Sequence, residues 1–482
     1  MFLGIDLGTS SVKALLVDDS GRVTAEATAP LTVSRPLPLW SEQDPDAWWH
    51  ATVAAVRTLP AADRQRVRAM ALAGQMHGAV VLGADDTPLR PAILWNDGRA
   101  HAECATLEAL VPNSRAVTGN CAMPGFTAPK LLWLRANEPE IFARTRAVLL
   151  PKDYLRLKLT GDKVSDMSDA AGTLWLDVGE RRWSEAMLAA CDLDRTHMPR
   201  LVEGTAISGL LTAEAAAELG VQRIAVAGGS GDNAAAAIGM GIIAPGRGLL
   251  SLGTSGVIFL ADDRYTPNPE RGVHTFCHAL PGRWHRMAVI LSAASAIDWA
   301  ARSIGFASTQ DAIAALEPPS RHDPLFLPYL SGERTPHNDA RAVGAFYGLT
   351  HETTRAGLIR AALEGVAFAL ADGLDALSVD KPPALVVVGG GARISAWGPI
   401  LASALGCTLE YHSGGDYGAA LGAAVLARLC LDEEGAADGP AQAAAVHTVA
   451  PDPALAAQLT PRRDLFQRLY SDLKPASKEL HP

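Results

Sequence analysis

The sequence predicts a two-lobed α/β protein whose halves are copies of one unit, and three observations carry that reading. A turn is repeated: Asp6-Leu7-Gly8-Thr9-Ser10 returns as Ser251-Leu252-Gly253-Thr254-Ser255. A glycine-rich entry to a small-residue run is repeated too, Gly231-Asp232-Asn233 ahead of Ala234 to Ile238 and Gly415-Asp416-Tyr417-Gly418 ahead of Ala419 to Leu426. Length is the third, since 482 residues exceed what one hydrophobic core organises and suit two domains of ordinary size. The landmarks come in the same order in both halves. They stand 225 positions apart in the first (Asp6 to Gly231) and 164 in the second (Ser251 to Gly415), so the first half carries 61 extra residues. The expected division is residues 1–244 and 245–482.

Each repeated turn lies between two short apolar runs, Phe2 to Ile5 and Val12 to Val17, then Leu249 to Leu252 and Val257 to Leu260. That pattern reads as strand, tight Gly-Thr-Ser turn, strand, with backbone N–H groups and hydroxyls presented at the tip. Facing each other across a cleft, two such turns form a two-sided phosphate clamp. Gly8, Thr9 and Ser10 are the donors on one side, Gly253 and Thr254 on the other. The copies differ where catalysis needs them to differ. Asp6 offers a carboxylate for a metal or its waters, whereas Ser251 is neutral.

Val386-Val387-Val388 runs into Gly389-Gly390-Gly391, a buried strand whose exit loop lets a flat ligand such as adenine approach the backbone. Close helix–strand packing is the competing reading of those glycines. Asp232 opens a predicted helix after Gly228-Gly229-Ser230-Gly231, where the positive end of the helix favours the ionised form that a general base requires. An ordinary Asp N-cap, worth about 1 kcal/mol, is the alternative for that residue.

The extra residues of the first half hold polar and aromatic clusters at predicted strand ends. Gln75-Met76-His77-Gly78 follows Ala69 to Ala73, and Trp95-Asn96-Asp97-Gly98-Arg99 follows Ala92 to Leu94. A sugar site needs such hydrogen-bonding groups beside a flat apolar face. A satisfied core histidine and a core aromatic are the plainer readings of His77 and Trp95. Asp44-Pro45 is a helix-start signature, so at least one of Trp48 and Trp49 is expected to staple that helix to the sheet. Arg181-Arg182 and Arg462-Arg463 read as solvated charge.

Composition bounds the rest. Net charge is −10 (42 basic against 52 acidic residues) without a basic stripe, which argues against nucleic acid as a partner. Six cysteines without a C-x-x-C suit a reducing compartment. The opening Met-Phe-Leu-Gly-Ile-Asp has no basic n-region, and no apolar stretch of about 20 residues occurs, so the expectation is cytoplasmic, without membrane insertion.

Together these residues resemble the FGGY carbohydrate kinases over essentially the whole chain. The resemblance runs through Gly4 to Ser10, Leu39 to Pro45, Gly74 to Gly78, Ile93 to Arg99, Leu150 to Leu155, Gly231 to Asn233 and Phe326 to Pro336. It implies two ribonuclease-H-like (actin-like ATPase) domains hinged about a deep catalytic cleft, sugar in the first lobe and ATP with Mg²⁺ mostly on the second. By the same resemblance Asp232 matches the general base and Asp6 the carboxylate at the metal. Met76 and His77 match sugar contacts, with Trp95 and Asn233 expected beside them, and Thr254 and Gly390 match nucleotide contacts. The implied acceptor is a five-carbon ketose, D-xylulose first, in pentose catabolism. Kinases of ribulose or a polyol compete within the class, and an actin-like nucleotide switch competes outside it. A homodimer is the assembly to test. Two positions depart from the family's pattern, Ala136 and Gly357, and the Ala/Pro/Asp-rich stretch from about Cys430 to Pro453 matches no motif.

Overall fold

The computed structural model describes residues 1–377, 381–412, 417–431 and 445–480. The Gly415-Asp416 landmark, and most of the stretch between about 430 and 453, lie outside the described residues.

The first lobe is built on a seven-stranded sheet. Its strands are β1 (Phe2–Leu7), β2 (Ser11–Val17), β3 (Val23–Pro30), β4 (Ala69–Gly74), β5 (Ile207–Leu210), β6 (Ala225–Ala227) and β7 (Ser230–Gly231). They run in the order β5-β6-β4-β1-β2-β3, with β7 also paired to β4. The second sheet holds β8 (Gly248–Leu252), β9 (Gly256–Asp262), β10 (His274–Cys277), β11 (Trp284–Ile290), β12 (Ala384–Val388), β13 (Thr408–Tyr411) and β14 (His447–Val449). Its order is β10-β11-β9-β8-β12-β13-β14. The duplication is visible in these orders. β1 pairs antiparallel with β2 and parallel with β4, and β8 pairs antiparallel with β9 and parallel with β12. Both expected hairpins are therefore present, each closing on its Gly-Thr-Ser turn.

Sequence pattern explains strand placement. β4 is buried along its whole length and reads as a continuous apolar run, while the edge strand β3 alternates buried and exposed. In the first lobe α1 (Pro45–Thr58) starts as expected, the Asp44 carboxylate accepting from the Asp46 backbone N–H at 3.0 Å with Pro45 at the first helical position. Trp48 and Trp49 are both buried against the sheet core. The lobe's other helices used below are α2 (Thr127–Asn137), α3 (Pro151–Thr160) and α4 (Asp232–Gly239); the second lobe supplies α5 (Arg355–Ala376), α6 (Gly418–Leu429) and α7 (Pro453–Leu480).

The two lobes meet through the repeated helices. α4 and α6 lie against each other so closely that a Cβ on Gly422 would fall 1.7 Å from the Ala235 carbonyl oxygen. A Cβ on Gly4 of β1 would likewise fall 2.1 Å from Ala420 O of α6. Small residues here serve backbone-to-backbone contact at the junction, and α4 carries Asp232 at its first position.

Two expectations change. Arg181 is paired with Glu203 at 2.6 Å, and Arg462 with Glu364 at 2.7 Å. Arg463 pairs with Asp375 at 2.7 Å and with the buried Asp372. These arginines pin one element to another, α7 to α5 in the last two cases. Arg182 alone of the four is solvated. Gly357 has a local cause, since a Cβ there would meet Asp323 Oδ1 at 2.6 Å. Among the described residues no helix is long and apolar enough to cross a membrane.

Candidate active site

A cavity of about 510 Å³ lies between the lobes. Met76, His77, Trp95, Asp232 and Asn233 all line it, so the structure brings together every residue expected to touch a sugar. They arrive from three places: the loop after β4, the loop that begins at Trp95, and the start of α4. Met76 is packed beneath Gly231, where a Cβ would lie 2.8 Å from its sulfur, so the backbone before Asp232 rests directly on this side chain. Trp95 is 48% exposed, which places its ring at the cavity mouth rather than in the core.

Asp232 is not an N-cap. Gly231 takes that position without a side-chain bond, and Asp232 begins the helix. Its Oδ1 accepts from the backbone N–H of Asn233 at 2.7 Å and from Asn233 Nδ2 at 2.8 Å. Burial, then the neighbouring charge of Asp6, pushes its carboxyl up to about 7, against the lowering effect of the Asn233 bonds. The expectation that the helix end keeps this group readily ionised is therefore corrected: desolvation outweighs the helix. The outcome is a carboxylate poised near neutrality, as a proton acceptor requires. Burial also raises Asp6, to about 6, with Lys13 acting in the opposite direction.

His77 sits at φ +68°, a left-handed conformation that costs a non-glycine residue and is held here by its surroundings. Its carbonyl oxygen accepts from Lys130 Nζ of α2 at 2.8 Å and from Thr127 Oγ1 at 3.1 Å. Its ring Nδ1–H donates to Gly172 O at 2.7 Å, which leaves Nε2 as an acceptor. Burial holds the imidazole down at about 4, so it is neutral at physiological pH. The Lys130 ammonium, which also donates to Gly125 O at 2.5 Å, is lowered to about 7 by burial.

The cavity wall is wired to the β1–β2 turn. Trp95 Nε1–H donates to Thr9 Oγ1 at 3.0 Å, and that hydroxyl donates to Gln75 Oε1 at 3.1 Å. Gln75 Nε2 and Trp48 Nε1 both donate to Gln43 Oε1, and Gln43 Nε2 donates to Thr9 O at 2.7 Å.

The remaining expected residues lie outside this cavity. Gly8, Thr9 and Ser10 form the β1–β2 turn, with the Gly8 N–H donating to Ser11 O at 3.0 Å. Gly253 and Thr254 form the β8–β9 turn, and Gly389, Gly390 and Gly391 form the exit of the adjacent strand β12. Gly389 has φ +92°, and a Cβ would meet Leu252 O at 2.7 Å there; a Cβ at Gly390 would meet no described residue within 4 Å. Steric need thus falls on Gly389 of this run and not on Gly390.

Asp6 Oδ1 is buried without a hydrogen-bond partner among the described residues, a hard oxygen of the kind Mg²⁺ takes, so the residue fits a metal role. Asp153, Asp166 and Asp169 also lie close together, but Lys152 Nζ already occupies their centre at 2.6, 2.9 and 3.5 Å. That cluster reaches the segment before Asp232 through Ser168 Oγ, which donates to Asp166 Oδ1 at 2.5 Å and accepts from the Gly231 N–H at 3.1 Å.

Sequence reasoning missed the second lobe's share of the cavity. Ser255, His274, Phe276, Leu291 and Arg334 line it, with Met123 and Phe126 from the first lobe. The Phe326 to Pro336 stretch was legible as a motif, but nothing in its spacing says that Arg334 folds back onto a site in the other half.

Comparison with known proteins agrees with this architecture. The N-terminal domain of the FGGY family of carbohydrate kinases matches residues 1–239, and its C-terminal domain matches residues 248–430. The chain is 52% identical to the xylulose kinase of Escherichia coli (strain K12) over 481 residues, 98% of this chain and 99% of that protein. It is also 52% identical to the xylulose kinase of Klebsiella pneumoniae, over 98% and 99% of the two chains. Among solved structures, a "xyloylose kinase" from Brucella ovis superposes with a TM-score of 0.95 at 48% identity, covering 98% of this chain and 99% of that one.

Proposed function

The chain belongs to the FGGY family of carbohydrate kinases, and on that footing we propose that it transfers the γ-phosphoryl group of ATP to the C5 hydroxyl of D-xylulose, giving D-xylulose 5-phosphate and ADP. Full-length identity to xylulose kinases supports the substrate. The observation that carries the residue roles is the single cavity lined by Met76, His77, Trp95, Asp232 and Asn233.

Asp232 is the general base. Its carboxylate takes the proton of the acceptor hydroxyl as that oxygen attacks phosphorus, and ADP leaves from the opposite side. Asn233 holds the carboxylate in place through its two donors. His77 Nε2, a fixed acceptor, takes a hydrogen bond from an acceptor hydroxyl, and the Trp95 ring covers a C–H face. Gly8, Thr9 and Ser10 face the transferring phosphates from the first lobe. Gly253, Thr254 and Gly389 to Gly391 cradle the nucleotide from the second. Mg²⁺ at Asp6 supplies charge neutralisation on the phosphates when bound. The cytoplasm suits the enzyme, since ATP is at hand and its six free cysteines remain reduced there.

A coupled ADP-release assay over D-xylulose, D-ribulose, aldopentoses and glycerol tests the substrate. D-Xylulose is expected to give the highest kcat/KM, with D-ribulose behind by about 10–200-fold. Preference for D-ribulose or glycerol overturns the assignment.

A further inference from the structure

One lining residue of the sugar cavity differs in kind from its neighbours. Arg334 comes from the second lobe, and no described carboxylate lies within ion-pair distance of its guanidinium. The adjacent Glu333 is turned away, its Oε1 accepting from the backbone N–H groups of Leu291 at 2.9 Å and of Arg334 itself at 2.7 Å.

The groups behind Arg334 fix its orientation. Asn120 gives its amide hydrogens to Thr118 O at 2.8 Å and Thr275 O at 3.0 Å, which leaves its Oδ1 as an acceptor. His274 Nδ1–H donates to that oxygen at 2.8 Å, so His274 Nε2 carries a lone pair. Arg334 Nη1–H donates to Nε2 at 3.3 Å and also touches Met123 Sδ. Burial, then the Arg334 charge, holds His274 well below its ordinary value, in keeping with the neutral tautomer. One edge of the guanidinium is thus tied down, while Nε and Nη2 have no partner among the described residues. An uncompensated cation in a half-closed cavity is costly, and a guanidinium fork matches paired oxygens.

We infer that Arg334 completes the acceptor site from the second lobe, donating from Nε and Nη2 to two neighbouring oxygens of the sugar, and that the same fork admits the carboxylate of a five-carbon sugar acid as a competing ligand. Arg334 is then a specificity residue that ties sugar binding to the approach of the lobes. This rests on the ketose-kinase reading above, but it makes a claim of its own.

The test is steady-state kinetics of wild type, Arg334→Met and Arg334→Lys, with D-xylulose and ATP varied separately and D-xylonate as inhibitor. KM for D-xylulose should rise about 10–200-fold in Arg334→Met, recover in part in Arg334→Lys, and leave KM for ATP within about twofold. D-Xylonate should compete with D-xylulose on wild type and lose that competition in Arg334→Met. A ketose KM unchanged in Arg334→Met, or D-xylonate inhibition that survives it, overturns the inference. Should Arg334→Met fail to fold, wild type decides, because absent competition by D-xylonate at millimolar concentration also overturns it. Failure of the ketose-kinase reading shows separately, as wild type that does not turn over D-xylulose. Calorimetry of D-xylonate on wild type and Arg334→Lys then still decides the role of Arg334: tight binding weakened by the lysine supports it, and no binding overturns it.

Discussion

Trp95 and Thr9 are joined by a 3.0 Å hydrogen bond from the indole Nε1–H to the threonine hydroxyl. The ring at the cavity mouth and the β1–β2 turn therefore belong to one hydrogen-bonded unit, continued through Gln75, Gln43 and the buried Trp48; on the proposed function, the first faces sugar and the second phosphate. Sugar and nucleotide binding should couple through it. In a double-mutant cycle of Trp95→Phe and Thr9→Val, the coupling read from kcat/KM for D-xylulose should be about 0.5–1.5 kcal/mol. Additive effects of the two changes would mean that the bond carries no function.

Asp232 should cost the fold stability once it ionises. With its folded value near 7 and an ordinary value of 3.8, the folded state holds the proton longer than the unfolded chain does. Its contribution to stability thus falls as pH rises from about 4 to about 7 and stays low above that. In the absence of nucleotide, Asp232→Asn should melt higher than wild type at pH 8, by about 2–4 °C for each kcal/mol relieved, and near wild type at pH 4. Equal melting temperatures at pH 8 would contradict the raised value. The acid limb of wild-type kcat/KM should likewise lie near pH 7, and Asp6→Asn should move it lower, because the Asp6 charge is one of the causes that raise Asp232.

Lys130 donates to the carbonyl of His77, whose φ is +68°, and to that of Gly125. Lys130→Met keeps the buried stem and removes both bonds. Unmade hydrogen bonds of this kind cost about 1–3 kcal/mol, and a loosened His77 should raise KM for D-xylulose by about tenfold with KM for ATP unmoved. Thermal melting and separate KM determinations check the two effects.

At the lobe junction, Gly422→Ala would place a methyl 1.7 Å from the Ala235 carbonyl oxygen. The obstruction is backbone, so α4 and α6 must part. Overpacking costs of about 1–3 kcal/mol are expected, toward the upper end, with a loss of kcat because α4 carries Asp232. Wild-type stability and turnover in this variant would show that the contact is not needed.

What was legible in the sequence follows from range. The hairpin turns at Gly8-Thr9-Ser10 and Gly253-Thr254-Ser255 are local signals, and both hairpins form. The start of α1 at Asp44-Pro45 is equally local. Asp232 was legible as a helix-start acid, but its proton affinity depends on Asp6, 226 positions away, and on burial that no local pattern reports. Arg334, His274 and Phe276 reach the inter-lobe cavity only when the second lobe folds over the first. Arg462 and Arg463 read as solvated in the sequence because their partners, Glu364 and Asp372, lie 98 and 91 positions earlier on α5.

The central claim is that Asp232 removes the proton from the ketose hydroxyl that attacks ATP. Turnover of D-xylulose by Asp232→Asn at saturating ATP, with sugar and nucleotide binding measured on the same preparation, tests it most directly. The amide keeps the size of the side chain and cannot take the proton, so kcat should fall by about 10²–10⁴-fold while both ligands still bind. Turnover near that of wild type would contradict the claim and leave Asp232 as no more than the first residue of its helix.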